Sequence, residues 1–507
     1  MARRQAGGRA VNGREPIPVA GLWRALGLTL ASSVVWGVAH VWAGRRAVGF
    51  SLMALLAVLI FGSATAAFAF QDQLKQVAVQ HTFLNLITAG ILVLAVGWGA
   101  IVIRSYQVVR PTGLPTAMRV TSGALVVIVA MMVCTPLVYA ANATYVLGDT
   151  LSTIFSGDQS GAHINTADPW KDRPRINILL LGGDGGKDRT GIRTDSMTVA
   201  SIDTHTGNTV LMSLPRSLQK FPLPARLRAK WPYGYTGDAP DPQHPGSVGL
   251  LNELYIQGEQ HPELVPGYKK GQRGPHMVED VIGYLLGLQM DYYVLVNLDG
   301  FKDIVNAMGG VTVRIEKRLP IGGEIVNGVQ TRPPTGYLPA GKHHLNGSQA
   351  LWYGRSRDAD DDFHRMDRQK CLMKDIADQA DPQKVVTHFE KLANAAKSTI
   401  STNIPAKLLP ALVKLSGSVK HGADIHSLPF NPDKIAGFHV YQPSLTVMRR
   451  AAKKAIADSV KPSAPPVTPT ATPTKRTGTG TGSSRSSRST STSASSGGAV
   501  SLKNICG

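Results

Sequence analysis

Four arginines, Arg355, Arg357, Arg365 and Arg368, fall within fourteen residues, and Gln369 follows directly. Arg355 and Arg357 are two apart, so an extended segment would point both side chains the same way. Asp362, Arg365, Arg368 and Gln369 are spaced by three and four, so a helix puts them on one face. A guanidinium stays charged at any working pH and can grip phosphate or carboxylate through two parallel hydrogen bonds. The cluster therefore suits a large anion, one with more than one phosphate.

Acidic candidates lie upstream. Asp184 follows the apolar run Ile176 to Leu181 and the pair Gly182 and Gly183. Nine residues on, Arg193, Thr194, Asp195 and Ser196 stand at the entrance to another apolar stretch, and Arg216 ends a third. Ligands of open α/β sheets bind beyond the carboxyl ends of strands, where Asp184 is expected. Carboxylates there suit Mg²⁺ or Mn²⁺, hard cations that combine a few protein oxygens with phosphate oxygens. On spacing alone, Asp184 reads equally well as a turn cap and Asp195 as a surface partner of Arg193.

The elements that must position these residues alternate in type. Ile176 to Leu181, Met197 to Ile202, Thr209 to Leu214, Tyr292 to Asn297 and Val311 to Ile315 read as strands, with a hairpin turn at Thr204 to Asn208. Asn252 to Gln257, Met277 to Leu288, Gly300 to Met308, Ser348 to Trp352 and Asp361 to Ala380 read as helices, and Phe389 to Val419 as helical pieces. This order implies an α/β fold: a mixed central β-sheet covered by helices.

A helical transmembrane module precedes it. The stretches 47–70, 83–103 and 120–141 are apolar, uncharged and long enough to cross a bilayer. The stretch 25–43 is weaker and reads as re-entrant or spanning. If it only dips into the membrane, every basic cluster of the module is cytoplasmic, and everything after Tyr145 lies outside. The divisions expected are a basic cytoplasmic terminus at 1–24, the membrane module at 25–145, a stalk at 146–172, a catalytic domain at 173–420, an extension at 421–460, and a disordered basic tail at 461–507. The tail is rich in Pro, Thr, Ser, Gly and Arg.

The 507 residues carry a net charge of +20. Such a balance invites a nucleic-acid reading, but no matching signature is present, and the charge divides among loops, arginine cluster and tail. The three cysteines make no disulfide framework. Cys371 and Cys506 could pair in an oxidising compartment, but the reading is against it.

The order of these pieces carries more than any one of them. Asn177 to Asp184, Arg193 to Ser196, Ser213 to Arg216, Leu251 and Asn252, Gly309 to Val311, Leu338 to Gly341, Leu345 to Leu351, and Arg355 through Gln369 together resemble the LytR-CpsA-Psr (LCP) family of cell-wall glycopolymer ligases. The resemblance covers about 200 residues, from Ile176 to Asp375. It implies a membrane-bound phosphotransferase that moves a glycopolymer, such as wall teichoic acid, from a polyprenyl-pyrophosphate carrier to peptidoglycan. By the family pattern Asp184 and Asp195 hold Mg²⁺. Arg193, Arg216, Arg355, Arg357, Arg365, Arg368 and Gln369 surround the pyrophosphate, and Asp184, Asp195, Arg193 and Arg357 serve catalysis. A lipid tunnel would be lined by Val294, Val296, Phe301, Ile304, Val305 and Leu351, residues that fit a plain core as well. The chain departs from the pattern twice. Gly185 and Gly186 stand where an arginine commonly follows the first aspartate, and Ser217 replaces an acid after Arg216. Competing readings are a polyprenyl-pyrophosphate hydrolase with the same site, a non-catalytic lipid or wall binder, and a membrane-anchored regulatory or DNA-binding protein.

Overall fold

A computed structural model describes residues 19–69, 81–155, 168–184, 192–238, 249–326, 329–356, 362–379, 389–421, 423–460 and 499–506. The chain divides into two compact units, Met1–Asp149 and Thr150–Gly507.

The first unit is helical: α1 (Val19–Val34), α2 (Val38–Trp42), α3 (Arg46–Ala69), α4 (His81–Val109) and α5 (Thr116–Ile154). α3, α4 and α5 are long and apolar enough to cross a membrane. Their apolar side chains stand in the open, with Phe61 73% and Met132 77% exposed. The 25–43 stretch is broken instead. Gly37 adopts φ 93° between α1 and α2, and a Cβ there would lie 2.2 Å from the carbonyl oxygen of Gly49. Only glycine fits that turn. The expected stalk begins later than 146, because α5 continues to Ile154.

The second unit is built on β1 (Arg175–Asp184), β2 (Arg193–Asp203) and β3 (Thr209–Leu214). α6 (Leu254–Gln260), α7 (Arg273–Leu286), β4 (Tyr292–Asn297), α8 (Leu298–Ala307), β5 (Val311–Ile315), β6 (Leu319–Val326), β7 (Val329–Leu338) and β8 (Gly341–Leu345) follow. Then come α9 (Gly347–Arg355), α10 (Asp362–Gln379), α11 (Phe389–Thr399), β9 (Ile400–Thr402), α12 (Leu409–His421), β10 (Ile425–Pro429), α13 (Leu445–Ser459), β11 (Val500–Ser501) and α14 (Leu502–Cys506). Seven strands form one mixed sheet in the order β11-β10-β3-β2-β1-β4-β9. β1 runs parallel to β4 and antiparallel to β2.

Both faces of β1 are covered, which is why its sequence is an unbroken apolar run. Leu179 and Leu181 pack with Met197, Val199, Val281 and Met448 in the main core. Ile176 and Ile178 turn the other way, against Leu415, with Leu180, Tyr292 and Val294 partly buried beside them. A satellite core lies under β5, β8, α9 and α10, around Val311, Val313, Leu345 and Tyr353.

Three expectations are corrected here. Residues 421–460 are no extension, because β10 is an interior strand and α13 packs into the main core. The far end of the expected tail is ordered: β11 pairs with β10, and Leu502 is buried. Residues 461–498 lie outside the described residues. Cys371 and Cys506 are paired in a disulfide, because β11 and α14 return the chain to α10. β9 and the hairpin of β6 and β7 have no counterpart in the expected elements.

Candidate active site

Asp184 is the last residue of β1 and lies directly across the ladder from Arg193. Its carboxylate accepts a hydrogen bond from Nη2 of Arg355 at 2.9 Å. Asp195 enters the cluster through a defect in the same ladder. Gly183 pairs with Thr194 and Gly182 with Ser196, which leaves Asp195 as the extra residue of a β-bulge. A bulge re-aims one side chain without ending the strand. The glycines make it possible, since a Cβ on Gly183 would lie 2.5 Å from Cγ2 of Ile192. Asp195 forms an ion pair with Arg216, which is held beyond β3 by the Asn252 N–H donating to its carbonyl at 3.2 Å.

The two helices after the satellite ribbon supply the remaining cations. Asn346 caps α9 reciprocally with Gln349: the Gln349 N–H donates to Asn346 at 2.9 Å, and the Asn346 N–H donates to the Gln349 side chain at 3.0 Å. This capping box fixes where α9 begins, and Arg355 is its last residue. Gly347 lets α9 approach α8, since a Cβ there would lie 2.1 Å from the carbonyl oxygen of Lys302. α10 opens with Asp362, whose carboxylate accepts from Arg365 at 2.8 Å. The buried Arg365 also donates to the carbonyl of Asp195 at 3.2 Å. Arg216 reaches Asp362 at 3.9 Å, so Asp195, Arg216, Asp362 and Arg365 form one chain of contacts.

Burial pushes the Asp195 carboxyl up, but Arg216, Arg365 and Arg355 outweigh it and hold the group below the ordinary carboxylate range. Arg355 bonds to Asp184, and its charge also helps to lower the Asp195 carboxyl.

Several expected site residues take other places. Arg355 is helical rather than extended, so it shares no extended segment with Arg357, which lies outside the described residues. Arg368 and Gln369 bond to backbone carbonyls. Arg368 donates to the carbonyls of Tyr353, at 3.1 Å, and Ser356, and Gln369 donates to that of Gly354 at 3.0 Å. They brace the end of α9, where carbonyls lack helical partners. Val305 belongs to the satellite core and is 1% exposed. Val294 and Val296 are half-buried on the sheet face that carries Leu180 and, by alternation along β1, Asp184.

Two residues were missed by the sequence reading as site members. Asp362 supplies a third carboxylate, and its Oδ2 is buried with no hydrogen-bond partner. The i, i+3 spacing to Arg365 was its signal. Lys370 is fully buried and anchors α10 by donating to Asp367 at 2.8 Å and to Ser427 of β10 at 2.6 Å. A single lysine within a helical run gives no such signal. Among the described residues no three His, Cys, Asp or Glu side chains cluster closely enough to hold a metal alone. Asp184 and Asp195 could hold a cation that draws its other oxygens from a phosphate.

Comparison with known proteins places this site in context. The model of the LytR_cpsA_psr family matches residues 149–456, more than half of the chain. A relative in Bacillus subtilis, the polyisoprenyl-teichoic acid–peptidoglycan teichoic acid transferase TagV, is 27% identical over 269 residues, covering 52% of this chain and 57% of that protein. Biofilm regulatory protein A of Streptococcus mutans is 27% identical over 259 residues, covering 49% and 55%. The chain thus spans little more than half the length of these relatives. The crystal structure of Bacillus subtilis TagV aligns over 56% of this chain and 97% of its own, at 24% identity and a TM-score of 0.38.

Proposed function

Because the chain belongs to the LytR_cpsA_psr family, we propose that it is a membrane-anchored transferase that moves a glycopolymer from a polyprenyl-pyrophosphate carrier onto peptidoglycan. The observation that carries this reading is the interleaving of acids and guanidiniums: Arg355 on Asp184, Arg216 on Asp195, and Arg365 beneath both Asp195 and Asp362. Such a set suits a pyrophosphate, whose oxygens can take over the arginine contacts now made by carboxylates.

In this reading the donor pyrophosphate lies against Arg216 and Arg355, with Arg193 across the ladder from Asp184. Arg357 follows Arg355 by two residues in the sequence. The prenyl chain runs along the half-buried face of Leu180, Val294 and Val296. Asp184 and Asp195 would hold Mg²⁺ or Mn²⁺, which would supply positive charge to the phosphate oxygens as charge develops. An acceptor hydroxyl attacks the phosphorus that bears the glycopolymer and releases its proton to solvent. The new sugar–oxygen–phosphorus bond forms as the bond to the carrier phosphate breaks, and polyprenyl phosphate leaves. Arginines at fixed distances stabilise that charge without reorganising. Asp195, held below the ordinary carboxylate range, makes a poor base at neutral pH, so its role is to fix Arg216 and the cation.

Two further features support the cellular placement. α3, α4 and α5 expose apolar side chains that suit a bilayer, and the Cys371–Cys506 disulfide suits an oxidising exterior. The test is product analysis with purified full-length protein and a lipid-linked glycopolymer. Polymer covalently joined to peptidoglycan supports transfer. Release of free phosphorylated polymer at the same rate with and without peptidoglycan makes the protein a hydrolase instead.

A further inference from the structure

One cavity lies apart from the cluster of aspartates and arginines. It holds about 850 Å³ between the β5–β8 ribbon, α10 and the C-terminal α14. That is large enough for a ligand of drug or oligosaccharide size. Asp184, Asp195, Arg216 and Arg355 are absent from its lining. Its walls differ in sign. The ribbon wall carries Arg314 and Lys342, and the α10 wall carries Asp375 and Asp378, of which Asp378 is paired with Lys374 at 2.8 Å. Arg314 and Lys342 face each other directly in the β5–β8 register. Like charges so placed repel and weaken the ladder, and among the described residues neither has an ion-pair partner. Glu316, nearby on the lining, has none either. Burial pushes the Asp375 carboxyl up, as for an acid partly withdrawn from water.

We propose that this cleft is a second binding site, taking a polar ligand that carries both carboxylate and ammonium groups, and that its ligand is the peptide-bearing acceptor glycan. The facing cations on the ribbon would receive carboxylates, and Asp375 of α10 an ammonium. A prenyl chain is excluded because charged walls would lose their water without gaining a partner. A bare polyphosphate is opposed by the acidic wall. The identity of the ligand rests on the transferase reading; the charge pattern of the site does not. Arg368 connects the two sites. It lines the cleft and also donates to the carbonyls of Tyr353 and Ser356, at the end of the helix that carries Arg355. Ile505 and Cys506 form part of the wall, so the disulfide-tethered C-terminus helps shape the cleft.

The experiment uses full-length protein in detergent and a soluble disaccharide-pentapeptide muropeptide as probe, with binding followed by calorimetry. Arg314 and Lys342 are exposed, so the double variant Arg314→Glu, Lys342→Glu should fold, as circular dichroism would verify. The expected result is at least a tenfold rise in Kd for the muropeptide, with unchanged affinity for polyprenyl pyrophosphate. No muropeptide binding by the wild type, or equal binding by the double variant, overturns the proposal. Charge-sensitive muropeptide binding by a protein that transfers nothing would uphold the cleft and sink the transferase reading. Transfer with an unchanged acceptor KM in the double variant would do the reverse.

Discussion

Arg216→Met tests the electrostatic design of the site. Asp195 has a side chain only 16% exposed, and Arg216 is 21% exposed. Removing one partner of a buried pair strands the other and costs ~3–5 kcal/mol. Arg365 and Arg355 remain near Asp195, so the low end applies, about 3 kcal/mol. Acting wholly through protonation, that corresponds to about two pKa units. Because the folded pKa of Asp195 is depressed, its contribution is present above the ordinary carboxylate pKa and is lost as pH falls through the folded value. In the variant the folded pKa rises, so the loss of stability begins at higher pH. The assay is unfolding of the detergent-solubilised protein across a pH series, followed by circular dichroism. The expected result is a destabilised variant whose acid unfolding starts up to about two pH units above the wild type. Asp195→Asn, Arg216→Met should recover most of the loss, since it leaves no charge alone. An acid profile for Arg216→Met that overlays the wild type would refute the reasoning.

Three further outcomes are expected. Asp184→Asn should keep the circular dichroism spectrum but lose at least about a hundredfold in transfer rate, as removal of a group acting on developing charge does; near-normal turnover would remove Asp184 from the chemistry. Gly183→Ala should press on Ile192 and cost ~1–3 kcal/mol in thermal unfolding, together with lost donor affinity as Arg193 shifts; a neutral effect would show that the bulge tolerates a side chain. Asn346→Ala should cost ~1 kcal/mol by removing the cap of α9 and should lower transfer, because Arg355 ends that helix; unchanged melting would deny the cap its role.

The central sheet was legible because its strands are apolar runs bounded by turn residues, and β1, β3 and β4 carry that pattern plainly. The acids at the strand ends were legible from position, Asp184 most clearly. Asp195 could be suspected, but its bulge depends on the register between Gly182 and Ser196, which one strand alone does not reveal. Arg365 was legible from its helical spacing. Arg355 was mis-set because Asn346 and Gln349 cap a helix that runs far enough to include it. Arg368 and Gln369 carry the right chemistry for an anion, and their bonds to carbonyls at the end of α9 were not legible, because they depend on where that helix stops. β10, β11 and the disulfide were illegible for one shared reason: they form by return of the chain from far away, and short strands such as Ile425–Pro429 have too little periodicity to announce themselves.

The most direct test of the central claim is a crystal structure of the protein with a bound polyprenyl pyrophosphate and Mg²⁺. The account predicts the pyrophosphate against Arg355 and Arg216, the cation on Asp184 and Asp195, and the prenyl chain along Leu180, Val294 and Val296. A pyrophosphate bound away from Arg355 and Arg216, with the two carboxylates still held by their arginines, would contradict it.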